Sequence, residues 1–239
     1  MFTSESRVGG LVERDFVLGD VPGILWTPER ATGPTPLILL GHPGGLDRMR
    51  PRLRGRAATG FACATLELPG SGARPRMPGV DEARADVRAT VALGGVVGRD
   101  IIERLVTPLV DVAVPEWQAV VDALLDLPEI DGPVGFSGGV TAIAVRLAAI
   151  DPRIAAAALF AGSFLPTTTF DDARDLRIPI HVMLQWDDEG NDRQAALDLF
   201  EAIASPEKTL HANMGGHTGI PAYEGEAVKR FFERHLHRR

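Results

Sequence analysis

Residues 133–148 read "PVGFSGGVTAIAVRLA" and join three signals in sixteen positions: a short apolar run, a serine between two glycines, and a helix-like stripe. Val140, Ile143, Ala144 and Leu147 recur at helical spacing, so the stretch reads as a strand, a tight turn and a helix. Gly135, Ser137 and Gly139 form a G-x-S-x-G pattern at that turn. The pattern has a physical reason when a strand feeds a helix sharply and lifts the serine hydroxyl above the sheet edge. Side chains two positions before and after would collide there, which calls for glycine at 135 and 139. A helix beginning near Gly138 would aim free N–H groups at an anion forming beside the serine.

The rest of the chain repeats the same alternation. "LVERDFVLGD" and "VPGILWTPE" read as paired edge strands turning at Gly19 and Asp20. "PLILLG", "GFACATLEL", "AAAALFAG" and "IPIHVMLQW" are apolar runs of the kind covered on both faces. "EWQAVVDALLDL", "RQAALDLFEAI" and "EAVKRFFERHL" carry amphipathic stripes. Strands and helices in this alternation imply parallel crossovers with helices on both sheet faces. No repeat or low-complexity linker divides the chain, so residues 1–239 are expected to form one α/β domain. Residues 78–114 hold more chain than a simple crossover needs, with Gly94, Gly95 and Gly98 in the middle. They are expected to be mostly crossover, with at most a small cap.

Composition narrows the partners. At 239 residues, 45% hydrophobic and 24% charged, the chain suits one large globular core. A net charge of -7 argues against a nucleic-acid backbone as partner. No apolar run reaches the ~20 residues that span a bilayer. "MFTSESRVGG" lacks the charged-then-apolar pattern of a secretory leader, so the cytoplasm is the expected location. Cys63 is the one cysteine, which removes internal disulfides and thiolate metal clusters, and it reads as a small buried strand residue.

A serine needs a base and the base needs an orienting acid. His235 and His237 lie in a charged tail, His181 and His211 sit in strand-like runs as structural histidines, and His42 belongs to the "GHPGG" turn. His217, in "NMGGHTGIP", is flanked by glycines and follows the last strand-like run. "QWDDEGND" ends a buried strand in carboxylates, of which one of Asp187 and Asp188 is expected to face His217. Ser137, Asp188 and His217 then stand in the order serine, acid, histidine. For the oxyanion, Pro43 has no N–H, so Gly44 is the first candidate donor, Gly45 its substitute, and Gly138 the second donor.

The "GHPGG" turn, "ELPGSG", "GFSGG", "QWDDE" and the "GGH" loop together resemble the α/β-hydrolase family over nearly the whole chain. Size and a short cap resemble its dienelactone-hydrolase-like and small serine esterase branches. Dienelactone hydrolases carry cysteine at the serine's position, so Ser137 points to serine esterase chemistry instead. The resemblance implies Asp188 as the acid, with Asp187 the alternative, and a small-molecule ester, thioester or lactone as substrate. It implies neither cofactor nor metal. A hydrolase-like domain that only binds a small ligand is the alternative. A dinucleotide-binding oxidoreductase is disfavoured, because no strand is followed by G-x-G-x-x-G. Leu46, Phe164, Met214 and the 78–114 segment flank the catalytic loops and are the expected substrate contacts. Arg48, Arg50, Arg52, Arg54 and Arg56, which would share a face only in an extended chain, are read either as a cationic rim for anionic substrates or as a solvated surface.

Overall fold

The computed structural model describes residues 1–160, 164–217 and 219–237. Among the described residues nine strands form one sheet: β1 (Phe2–Val8), β2 (Leu11–Leu18), β3 (Val21–Pro28), β4 (Thr35–Gly41), β5 (Ala62–Leu66), β6 (Ile130–Gly138), β7 (Ile154–Phe160), β8 (Ile180–Gln185) and β9 (Lys208–Asn213). Their spatial order is β1-β2-β3-β5-β4-β6-β7-β8-β9. The first three strands are antiparallel to their neighbours, and β5, β4, β6, β7, β8 and β9 run parallel.

Helices bridge each parallel step. α1 (Leu46–Ala57) leads from β4 to β5, and α2 (Pro78–Ala92) with α3 (Arg99–Leu125) leads back to β6. α4 (Thr141–Ile150), α5 (Thr167–Asp175) and α6 (Arg193–Ala202) follow, and α7 (Ala222–Leu236) closes the chain. β4 therefore has its two successors, β5 and β6, on opposite sides. Such a reversal leaves a crevice beyond the carboxyl ends of the strands. "GHPGG" and "SGG" both end there.

The expected architecture of a mostly parallel sheet with helices on both faces is present. Strand alternation assigns each face. Leu37, Leu39, Val134, Phe136, Ala157, Leu159, Val182 and Leu184 pack with α3, α4 and α6. Ile38, Leu40, Cys63, Ala156 and Ala158 pack with Leu53 of α1 and with Phe231, Phe232 and Leu236 of α7. Burying each such large side chain contributes about 1.5–3 kcal/mol. Cys63 is fully buried, which pushes its thiol up to about 12 and leaves it inert.

Three elements differ from the sequence reading. "LVERDFVLGD" is not at the edge, because β1 pairs outside it; "FTSESRV" is exposed throughout and so carries no alternation to reveal a strand. α5 has no apolar stripe in the sequence to mark it, because "TTTFDDARD" buries only Thr169 and Ala173. The arginine run is helical despite Pro51, and α1 turns Arg50 and Arg54 onto β2. Arg54 donates to Glu13 through Nε at 2.7 Å, and Arg50 reaches Glu13 at 2.9 Å and Asp15 at 2.7 Å. The buried indole of Trp26 donates to the same Glu13 at 2.6 Å.

Residues 78–114 form α2 and the first part of α3, broken by residues 93–98. Val80 and Ala83 of α2 pack on Leu105, Val106 and Leu109 of α3 and on Ala142 at the start of α4. Among the described residues no helix is long and apolar enough to cross a membrane.

Candidate active site

The crevice is built from four strand ends. Ser137 is the last residue but one of β6, its Cα paired with Leu40 on β4 and Ala158 on β7. It shares the face of Gly135, where a Cβ would lie 2.7 Å from Phe232 of α7. That face opens onto a cavity of about 370 Å³ lined by Ser137, Ile38, Leu40, Arg56, Met183 and Phe232, among others.

The turn sits one residue later than the sequence pattern implies. No described residue other than glycine has a positive φ, so Ser137 keeps ordinary strand geometry. The sharp change falls on Gly138, with φ +119°, where a Cβ would lie 2.4 Å from the carbonyl oxygen of Gly41. At Gly139 nothing lies within 4 Å of a Cβ, so that glycine is not required for space. α4 starts at Thr141 rather than near Gly138, because β6 remains paired to β4 and β7 through Gly138.

The residues after β8 and after β9 supply the acid and the imidazole. Asp188 is buried, and its Oδ2 lies 2.7 Å from Nδ1 of His217. Asp187 faces the same loop differently: it accepts from the N–H of Gly216 at 2.9 Å and of Gly215 at 2.9 and 3.0 Å. Those amides hold its carboxyl below the usual range. Gln185 adds a hydrogen bond of 2.8 Å to the carbonyl of Gly216. The two neighbouring carboxylates thus divide the loop, one taking the ring and the other its backbone.

The His217 ring stands edge-on to Phe160, centroids 5.5 Å apart. Phe160 ends β7 two residues beyond Ala158, on the same face of the sheet as Ser137. By strand geometry its Cα lies about 8 Å from that of Ser137. Among the described residues no hydrogen bond joins Ser137 to His217, and the imidazole side chain is 66% exposed.

The turn after β4 is organised by His42. Its buried Nε2–H donates to the carbonyl of Leu66 at 2.9 Å, which leaves Nδ1 to accept the N–H of Gly44 at 3.3 Å. Burial lowers the pKa of this imidazole, consistent with that neutral tautomer. Leu46 donates its N–H to Glu67 at 2.7 Å. Gly44 therefore spends its amide inside the protein, whereas Gly45 has no internal acceptor among the described residues.

The expected substrate contacts are dispersed. Leu46, the first residue of α1, is buried in the cluster between α1 and the sheet, Phe164 packs on the cluster of α2 and α3, and Met214 is exposed. None of the three lines the cavity at Ser137. Sequence reasoning gave Arg56 no distinct role within its run, yet this side chain reaches the cavity and the Gly138 turn. Helical spacing carries the signal: Arg52 and Arg56 are four apart and share a face that Arg50 and Arg54 do not.

In fold the chain is an α/β-hydrolase. Solved structures similar to it include esterases. A cold-adapted esterase from an Arctic intertidal metagenomic library, in its polyethylene-glycol-bound complex, matches with TM-score 0.71 and 26% identity, covering 98% of this chain and 97% of that one. Acetyl xylan esterase 1 from Thermoanaerobacterium matches with TM-score 0.63 and 14% identity over 98% of this chain and 87% of its own. An esterase from Pyrococcus furiosus matches with TM-score 0.65 and 12% identity over 95% and 91%. The last two identities speak for the fold alone. No family model and no curated protein sequence matches the chain.

Proposed function

We propose that the protein hydrolyses small-molecule carboxylic esters, or the related thioesters and lactones, through an acyl-enzyme on Ser137. The observation that carries the reading is the 2.7 Å pair of Asp188 and His217 at the strand edge beside Ser137, in the order serine, acid, histidine. The 26% identical esterase, matched over nearly its full length, supports ester hydrolysis as the reaction class.

In this reading substrate entry brings His217 Nε2 within about 3 Å of the Ser137 hydroxyl. Nε2 takes the proton as the serine oxygen bonds to the carbonyl carbon. Asp188 holds Nδ1–H and stabilises the imidazolium that results. The carbonyl oxygen, now anionic, is received by the amides of Gly138 and of the β4 turn, where Gly45 has the free donor and Gly44 does not. Collapse expels the alcohol with the proton from Nε2. Water, deprotonated by the same nitrogen, then releases the acid and restores the hydroxyl.

One observation favours a second reading, a domain that binds a small ligand without turning it over: Ser137 lies in regular strand geometry and makes no hydrogen bond to His217 among the described residues. A fluorophosphonate probe with mass-spectrometric site mapping separates the two. Esterase chemistry requires covalent label on Ser137 and at least a thousandfold slower labelling in His217→Ala. Absence of label, or label indifferent to His217, establishes the binding domain instead.

A further inference from the structure

A second group of chemically capable side chains meets where β8, β9 and α7 converge. His181, His211 and Glu224 each offer one ligand atom, all within 4.8 Å of one another. Nδ1 of His211 lies 3.0 Å from Oε2 of Glu224, and Nε2 of His181 lies 3.8 Å from the same oxygen. The two imidazole rings stand edge to face, centroids 4.4 Å apart.

Two features of this group are unexplained by folding alone. Nε2 of His181 is buried and has no hydrogen-bond partner, since 3.8 Å is beyond hydrogen-bonding reach. Its other nitrogen is fixed by the Thr209 hydroxyl at 2.9 Å, so the free nitrogen is held pointing into the group. Glu224 is only 2% exposed, yet no lysine or arginine pairs with it among the described residues. Its remaining partner is the neutral amide of Asn213, donating at 3.2 Å. A buried carboxylate beside an orphaned imidazole nitrogen is the environment a cation relieves.

We propose that His181 Nε2, His211 Nδ1 and the Glu224 carboxylate form a binding site for a divalent transition-metal ion of the zinc class. Two nitrogens and one oxygen suit such an ion and not the all-oxygen preference of calcium or magnesium. Ligand atoms around tetrahedral zinc lie about 3.3 Å apart, so the widest separation in the group, up to 4.8 Å, need close by only about 1.5 Å. Thr209 and Asn213 orient two of the three ligands from behind, as the outer partners of metal ligands do. His211, with its side chain 42% exposed, is the entry side and leaves the fourth position to water.

The site has a structural consequence for the loop of His217. His211 lies near the end of β9, and Glu224 in the first turn of α7. An ion bound to both ties together the two ends of residues 214–221. The proposal stands independently of the esterase reading, because its test is binding.

The tag-free full-length protein, treated with chelator, would be titrated with Zn2+ by calorimetry and with Co2+ by visible absorption. One ion per chain, with the d–d bands of nitrogen and oxygen ligation, is expected. His211→Ala and Glu224→Gln should each weaken binding at least tenfold, while His237→Ala, distant from the group, leaves it unchanged; circular dichroism checks that each variant is folded. Absence of saturable one-to-one binding, or binding that survives either ligand substitution in a folded protein, overturns the site.

Discussion

Asp188 takes the ring of His217 and leaves its neighbour Asp187 to the loop's backbone: one carboxylate accepts Nδ1 at 2.7 Å, the other two amides at 2.9 to 3.0 Å. Adjacent acids of identical charge thus have separable effects. Under the esterase reading, Asp188→Asn keeps the shape but presents the wrong hydrogen-bond partner to Nδ1. Turnover of a chromogenic ester is expected to drop by about 10³–10⁴ with KM little changed. Asp187→Asn should cost less than about tenfold, since it loosens the loop and leaves the ring's partner in place. Equal losses in the two variants would contradict this division.

The glycine after the serine is the structurally demanding one. Gly138→Ala places a methyl 2.4 Å from the Gly41 carbonyl oxygen at a φ of +119°, and both effects oppose the native turn. A loss of roughly 2–4 kcal/mol in urea unfolding is expected. Gly139→Ala has open space and should change stability by less than about 1 kcal/mol. A Gly139 variant as unstable as the Gly138 variant would refute the placement of the turn.

How much of this was legible in the sequence follows from what each signal reports. Apolar runs mark strands buried on both faces, so β4 to β8 were readable, and the glycine turns located the crevice. β1 was not, because its side chains are exposed on both faces and period-two alternation vanishes. The G-x-S-x-G spacing marked the right turn, but spacing cannot say which glycine meets a neighbouring backbone; that depends on how closely β4 approaches β6. The place of Gly44 after Pro43 suggests an oxyanion donor, and only the fold reveals that His42 accepts its amide. From sequence, His181 and His211 both read as satisfied structural histidines. His211 has its carboxylate, whereas His181 keeps one nitrogen unpaired, a difference set by strand register between β8 and β9.

Acid should loosen the attachment of α1 to the antiparallel edge. Burial opposes the charge of Glu13, but hydrogen bonds from Arg54, Trp26 and Arg50 outweigh it and hold the carboxyl at about 2, against an ordinary 4.5. A depressed carboxyl contributes stability above its unfolded value and loses it as pH falls through the folded one. The contribution, about 3 kcal/mol at neutral pH, is therefore expected to fade between pH 4.5 and 2. Glu13→Gln should lower stability at pH 7 and flatten the profile in that window, measured by urea unfolding at stepped pH. An unchanged acid profile would remove Glu13 as its source.

Substrate charge is the last point at which the arginine run matters. Arg50 and Arg54 are neutralised by Glu13 and Asp15, so the run is not a uniform cationic rim. Arg52 and Arg56 instead line the cavity at Ser137. Arg56 has no carboxylate partner among the described residues, and burial, helped by the charge of Arg52, lowers its pKa from the ordinary arginine value. A guanidinium so placed gains most from an anion entering the cavity, through charge-assisted hydrogen bonds of about 1.5–3 kcal/mol. For esters matched except for a distal carboxylate, kcat/KM should favour the anionic member and lose that preference as salt rises. Arg56→Met, which keeps the length of the side chain, should cut kcat/KM for the anionic ester about tenfold or more while leaving the neutral ester within about threefold. A wild-type protein indifferent to substrate charge at low salt, or a variant that loses both esters alike, would assign Arg56 to the packing of the Gly138 turn rather than to the substrate.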